Sequence, residues 1–283
     1  MQLVSKFKKR YLVYLLIVSY IFFCQSCMKM QMSSKKTRTF FEKQNIKFED
    51  KTFIFEQYAI HYIETGNTEN PILLFIHGSP GSWDAYKQYL SDTLLLKKFR
   101  MIAVDRTGFG KSNFGQAVAL ETQATILNNF VKTINRKKAI ISIGHSMGGP
   151  VQVKMATLEP SIYSELVILA GALDPEAEKP EIWRRFIMKK PIRYIIPGAL
   201  RPANDELWWL KQDLIDMQPN LKKITSKITI IHGTKDQLVP FSNVAFMKRE
   251  FVNAQSLKII SIPNANHFIP WEHFDLIRNV FLN

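Results

Sequence analysis

An α/β fold is predicted for residues 48–283: a mostly parallel central sheet of about eight strands, flanked by helices and carrying a small helical cap. Three observations predict it. Short apolar runs alternate with amphipathic stretches, the runs end in Gly, Asp, Asn or His, and one proline-rich segment interrupts the alternation. Strands that alternate with helices pair in parallel, bury both faces, and gather ligands at their carboxyl ends.

The elements follow in order. KFEDKTFIFE and YAIHYIE alternate polar and apolar residues as a hairpin does, while PILLFIHG, FRMIAVDRTG, KAIISIGHS, SELVILAG, ITIIHGTKD and LKIISIPNANH read as buried strands. Helical patterns fall at Trp83–Leu96, Leu120–Ile134, Met147–Leu158, Phe241–Phe251 and Pro270–Leu282. Between about 172 and 225 the alternation stops. Pro175, Pro180, Pro191, Pro197 and Pro202 punctuate short amphipathic pieces, and three of the five tryptophans lie there, as expected of a cap folded over the end of the sheet.

At 283 residues and 46% hydrophobic content, the chain can fill a sizeable core. Its net charge of +14 is concentrated at one end, with ten of 38 Lys and Arg but only one of 24 acidic residues in positions 1–47. That distribution argues against nucleic acid and for a membrane. Residues 1–27 read as a leader: FKKR precedes the thirteen apolar residues YLVYLLIVSYIFF, a helix of ~20 Å that is short of a ~30 Å hydrocarbon core. Cys27 after Ser26 resembles the end of a bacterial lipobox, which implies an exported lipoprotein; the alternative is a single N-terminal anchor retained through Met28. Residues 28–47 read as a basic, solvated tether. Both cysteines lie in the leader, so the domain needs no disulfide.

GHSMG, residues 144–148, is a GxSxG string entered by a strand and left by a helix. Such a turn leaves the Ser146 hydroxyl exposed, and side chains at Gly144 and Gly148 would collide with neighbouring backbone. A serine hydroxyl needs a base to act as a nucleophile, and the base usually needs an orienting acid. Among six histidines, His267 ends the last strand run in a loop at the active end of the sheet, whereas His273 falls inside the final helix pattern. Asp236, just past TIIHG, is the first candidate for the acid, and Asp174, after SELVILAG, is the second. Oxyanion donors are expected from the backbone N–H groups of Met147, at a helix start, and Ser79. TGFGKS looks like the end of a phosphate-binding loop, but that motif needs glycine where Asp105 stands.

In order, HGSPG, DRTGFGKS, GHSMGG, GTKDQLVP and NANH resemble the motifs of the α/β hydrolase superfamily over essentially Phe48–Asn283. The resemblance implies Ser146 as nucleophile, Asp236 as acid, His267 as base, an oxyanion hole at the N–H groups of Ser79 and Met147, and a cis Ser79–Pro80 bond. It implies a serine hydrolase acting on a small-molecule ester, or an amide or thioester, with neither metal nor organic cofactor. A serine at the elbow disfavours the epoxide hydrolases and haloalkane dehalogenases of the superfamily, which use aspartate there. Proline iminopeptidase-like, acyltransferase and C–C hydrolase chemistries remain as alternatives, as does a catalytically silent, membrane-tethered binding protein. In the cap, Trp183, Phe186, Tyr194, Trp208 and Trp209 suggest an apolar substrate pocket.

Overall fold

The computed structural model describes residues 9–26, 28–134, 137–179 and 181–283; Cys27, the expected lipidation site, lies outside them. Eight strands form one sheet: β1 (Phe48–Phe55), β2 (Tyr58–Gly66), β3 (Ile72–Ile76), β4 (Arg100–Val104), β5 (Ile140–His145), β6 (Glu165–Leu169), β7 (Lys227–Gly233) and β8 (Ser256–Ile262). The spatial order is β1-β2-β4-β3-β5-β6-β7-β8, with β2 antiparallel to both neighbours and every other pair parallel. The central strands read as continuous apolar runs because both their faces are covered. On β3, Ile72, Leu74 and Ile76 enter one core and Leu73 and Phe75 the other.

The helices include α1 (Lys9–Ser26), α2 (Ser34–Glu42), α3 (Leu120–Ile134) and α4 (Gly148–Leu158), then α5 (Trp183–Ile187) and α6 (Leu200–Met217) in the cap, and finally α7 (Ser242–Glu250) and α8 (Phe274–Leu282). The cap is inserted between β6 and β7, and its helix α6 is tied to the main domain where Asp213 Oδ2 accepts from the Leu120 N–H at the start of α3, 3.1 Å away. The parallel strands deliver their carboxyl ends to one side of the sheet. The loops that leave β3, β4, β5, β7 and β8 there carry Ser79, Arg106, Ser146, Asp236 and His267.

Four expectations need correction. The run LKIISIPNANH forms the edge strand β8, in which only Ile262 is buried. The Trp83–Leu96 pattern is a 3-10 turn at Trp83–Tyr86 followed by two short helices, Lys87–Leu90 and Thr93–Lys98, because the Asp92 side chain caps a new start by accepting from the N–H groups of Leu94 and Leu95. The final pattern breaks at His273, which is half-buried between Ile269–Glu272 and α8. The supposed tether is docked on the domain. Ser33 caps α2 by accepting from the Lys36 N–H, and Phe41 is fully buried, stacked on Phe48 at 4.7 Å and on Trp83 at 6.1 Å. Upstream of α2, Ser82 Oγ donates to Met30 O, the Met32 N–H donates to Asp84 Oδ2, and Gln31 Nε2 donates to Asp105 Oδ2. Met32, Phe40 and Ile46 pack against the same core as Phe41 and help to hold a segment otherwise rich in polar residues. Among the described residues no helix is long and apolar enough to cross a membrane.

Phe41→Ala empties a closed aromatic stack, so it should cost about 3–5 kcal/mol of stability in urea melts; a loss no larger than that of an exposed substitution would show that α2 is only loosely attached.

Candidate active site

Ser146 sits between β5 and α4 at φ 53°, in the left-handed region that a serine rarely adopts. The surrounding backbone imposes this conformation. The Ser146 N–H donates to Leu169 O on β6 at 3.0 Å, and Ser146 O accepts from the Gly149 N–H at 2.9 Å. A Cβ on Gly148 would run into Ile76 O of β3, and one on Gly144 into Gly148 O, so α4 can lie this close to β3 and β5 only with glycine at these positions. Met147 is the N-terminal cap residue of α4, which places its N–H at the positive end of the helix.

The loop after β3 lies against this turn: a Cβ on Gly78 would approach Ser146 Cβ to 3.0 Å. The Ser79–Pro80 bond is cis, and Ser79 Oγ is buried without a hydrogen-bond partner among the described residues. The backbone N–H groups of Ser79 and Met147 likewise lack a protein acceptor there.

His267 and Asp236 meet from the ends of β8 and β7. The imidazole Nδ1–H donates to Asp236 Oδ2 at 2.7 Å, and Oδ1 accepts from the N–H groups of Leu238 and Val239 at 2.9 and 2.8 Å. Burial opposes ionisation of Asp236, but the bonds from His267 and the Val239 N–H outweigh it and hold the carboxyl below its ordinary range. The His267 ring lies 4.7 Å from that of His145, the residue before Ser146, and His267 O accepts from His145 Nε2–H at 3.0 Å. His267 is therefore fastened to the turn that carries Ser146. Asp174 is engaged elsewhere, accepting from the Glu176 N–H.

The neighbouring histidines are neutral. Burial and the proximity of His267 push His145 down to about 3. Burial, with the charge of Arg106 beside it, holds His77 well below its ordinary value. His77 donates Nδ1–H to Gly78 O at 2.7 Å and accepts from the Arg106 N–H at Nε2, 3.0 Å, which fixes its tautomer.

Sequence reasoning missed Arg106, whose guanidinium is completely buried. Its Nε donates to His77 O, Nη1 to Gln123 Oε1 and Glu206 Oε2, and Nη2 to Gly78 O and Glu206 Oε1, at 2.7 to 3.1 Å. Five N–H groups thus find five acceptors. They join the loop carrying Ser79 to α6 of the cap. A charged residue immediately after a buried strand was the available signal, but nothing in the sequence pointed to Glu206 as its partner. Next to it, Asp105 accepts from His61 Nδ1–H and from the N–H groups of Trp83 and Lys111, and its carboxylate fills the space beside Gly110. The loop that resembled a phosphate cradle thus wraps a carboxylate of its own.

Of the cap aromatics, Trp208 and Trp209 are half-buried on α6. Trp183, Phe186 and Tyr194 are 50%, 58% and 41% exposed, too open for the walls of an enclosed pocket.

A family model described as the alpha/beta hydrolase fold matches residues 71–194. The uncharacterized hydrolase YugF of Bacillus subtilis is 23% identical over 263 residues, covering 80% of this chain and 94% of that protein. Epoxide hydrolase 1 of Caenorhabditis elegans is 27% identical over 111 residues, 38% of this chain and 27% of that one. Among solved structures, a membrane phospholipase A superposes with a TM-score of 0.63 at 20% identity, covering 97% of this chain and 99% of that one. This last likeness is one of fold.

Glu206→Ala strands a buried guanidinium and should cost about 3–5 kcal/mol in denaturant melts, with much of the loss recovered in Arg106→Met/Glu206→Met; an additive double variant would mean that the two residues act independently. Because the folded Asp236 carboxyl titrates below its ordinary value of ~3.9, its contribution to stability is complete above that pH and fades as the pH falls through the lowered value. Melting temperature followed against pH should fall less steeply in acid for Asp236→Asn than for the wild type.

Proposed function

We propose that this α/β hydrolase cleaves carboxylic esters through an acyl-enzyme, with Ser146 as nucleophile, His267 as general base and acid, and Asp236 as the group that orients His267. The observation that carries the reading is the 2.7 Å bond from His267 Nδ1–H to Asp236, made by an imidazole fastened to the residue before a strained, glycine-flanked serine. With Nδ1–H committed to Asp236, Nε2 is the basic nitrogen.

In the proposed reaction Ser146 Oγ attacks the ester carbonyl carbon while His267 Nε2 takes the hydroxyl proton. The carbonyl oxygen becomes an oxyanion and accepts from the N–H groups of Ser79 and Met147, each typically worth about 3–4 kcal/mol in the transition state. Collapse of the intermediate expels the alcohol, which receives the proton from His267. Water then attacks the acyl-enzyme, gives a proton to His267, and releases the acid as the proton returns to Ser146. The relatives include epoxide hydrolases. Serine rather than a carboxylate at the elbow favours acyl transfer over epoxide opening.

We also infer export and attachment to a membrane, through lipid on Cys27 or through the apolar α1 (KRYLVYLLIVSYIFFCQS). The intact mass of membrane-extracted protein distinguishes a lipid adduct on Cys27 from an uncleaved Met1.

A fluorophosphonate probe should label the wild type and fail to label Ser146→Ala. On a p-nitrophenyl ester, Asp236→Asn should lower kcat by about 10⁴-fold while Asp174→Asn changes it little. Labelling that survives Ser146→Ala, or a large loss confined to Asp174→Asn, would overturn the assignment.

A further inference from the structure

We propose that the face of the cap formed by residues 182–195, joined by α1 where the leader is retained, docks onto an anionic lipid bilayer and presents the site to esters held in that bilayer. Docking stands on the surface alone; the second half rests on the ester-hydrolase reading.

The first observation is an anomaly of burial. Neither α5 nor the 3-10 turn Ile192–Ile195 buries a single residue, although both are rich in large apolar side chains. Ile182, Trp183, Phe186, Ile192, Tyr194 and Ile195 are all between 41% and 66% exposed. Exposed apolar residues scattered singly need no explanation, whereas six within fourteen positions do.

Helix α1 adds to the same face. Tyr20 Oη and Cys24 Sγ donate to Ile195 O at 3.4 and 3.3 Å, the Gly198 N–H donates to Cys24 O at 2.9 Å, and the Ala199 N–H to Met28 O at 2.9 Å. Beyond those contacts α1 is apolar, with Tyr14, Leu15 and Leu16 exposed by 60%, 57% and 60%.

Charge selects the occupant. Residues 182–195 read IWRRFIMKKPIRYI; of the five basic residues Arg184 and Arg193 are paired with Glu181 and Asp205, and Arg185, Lys189 and Lys190 are exposed among the apolar side chains. Lys9 and Arg10 begin α1. Aromatic and aliphatic side chains interleaved with cations suit the headgroup region of an anionic leaflet, where Trp and Tyr settle and each nearby cation gains from the surface potential. A second copy would set this cationic face against itself.

The surface is mechanically joined to the site. Asn204 Nδ2 on α6 donates to Arg184 O on α5 at 3.2 Å, and two residues on, Glu206 holds Arg106 and with it the loop that carries Ser79. A lipid ester is accordingly the substrate class this face would supply.

Because α1 is itself apolar, vesicle binding alone does not report on the cap, and the depth of Trp183 does. The full chain is mixed with vesicles of phosphatidylcholine carrying brominated acyl chains, with or without phosphatidylglycerol. Bromine should quench a share of the tryptophan emission that disappears in Trp183→Phe, and only when the anionic lipid is present. Equal quenching of wild type and variant would overturn the proposal, as would a concentration-dependent dimer that shields Trp183 from the vesicle. Arg185→Glu/Lys189→Glu/Lys190→Glu changes only exposed positions. It should lower turnover of a vesicle-borne ester by tenfold or more and leave turnover of a soluble p-nitrophenyl ester unchanged; equal loss on both would mean that the substitutions act on the site rather than on docking. Should the wild type cleave neither ester while Trp183 remains quenched, the ester reading fails and the docking surface stands.

Discussion

A guanidinium removed from water is tolerated only when every donor is satisfied, and Arg106 meets that condition with acceptors from three parts of the chain: the β3 loop, α3 and the cap. The consequences spread from there. His77 must stay neutral to accept from the Arg106 N–H, and its other nitrogen then braces Gly78, the residue packed against Ser146. Glu206 must remain on α6, so the cap is fixed at its base by a charge pair that cannot be loosened without exposing an ion to apolar surroundings.

Around Ser146 the polar groups divide by charge. Asp236 stays ionised because backbone N–H groups and one imidazole surround it, while His77 and His145 are kept uncharged by burial. The neutral His145 ring, beside His267, donates to His267 O and leaves the Asp236 carboxylate to the Nδ1–H of His267.

The sheet was legible because each inner strand is a continuous apolar run closed by a turn residue, and all eight runs form strands in the expected places. The meeting of Asp236 and His267 was legible for a related reason: residues at the carboxyl ends of parallel strands converge however far apart they lie in sequence. Pairings between an interior position and the cap were hidden. Arg106 and Glu206 are separated by 100 positions, and either could have faced solvent. The docked segment before β1 was missed because one turn containing Phe40 and Phe41 is too short to show a helical period among its lysines and arginines. The break at Asp92 was missed because a capping aspartate inside an amphipathic pattern looks like one more polar residue.

The three bonds that Met30, Gln31 and Met32 make with Ser82, Asp105 and Asp84 hold the segment before α2 against the loops that leave β3 and β4. A bilayer that held this segment, as proposed above, would set the height and tilt at which Ser146 stands above it. On the membrane-docked proposal the domain would patrol an area rather than sweep a volume of solution, and encounters with substrate would be counted per unit of surface.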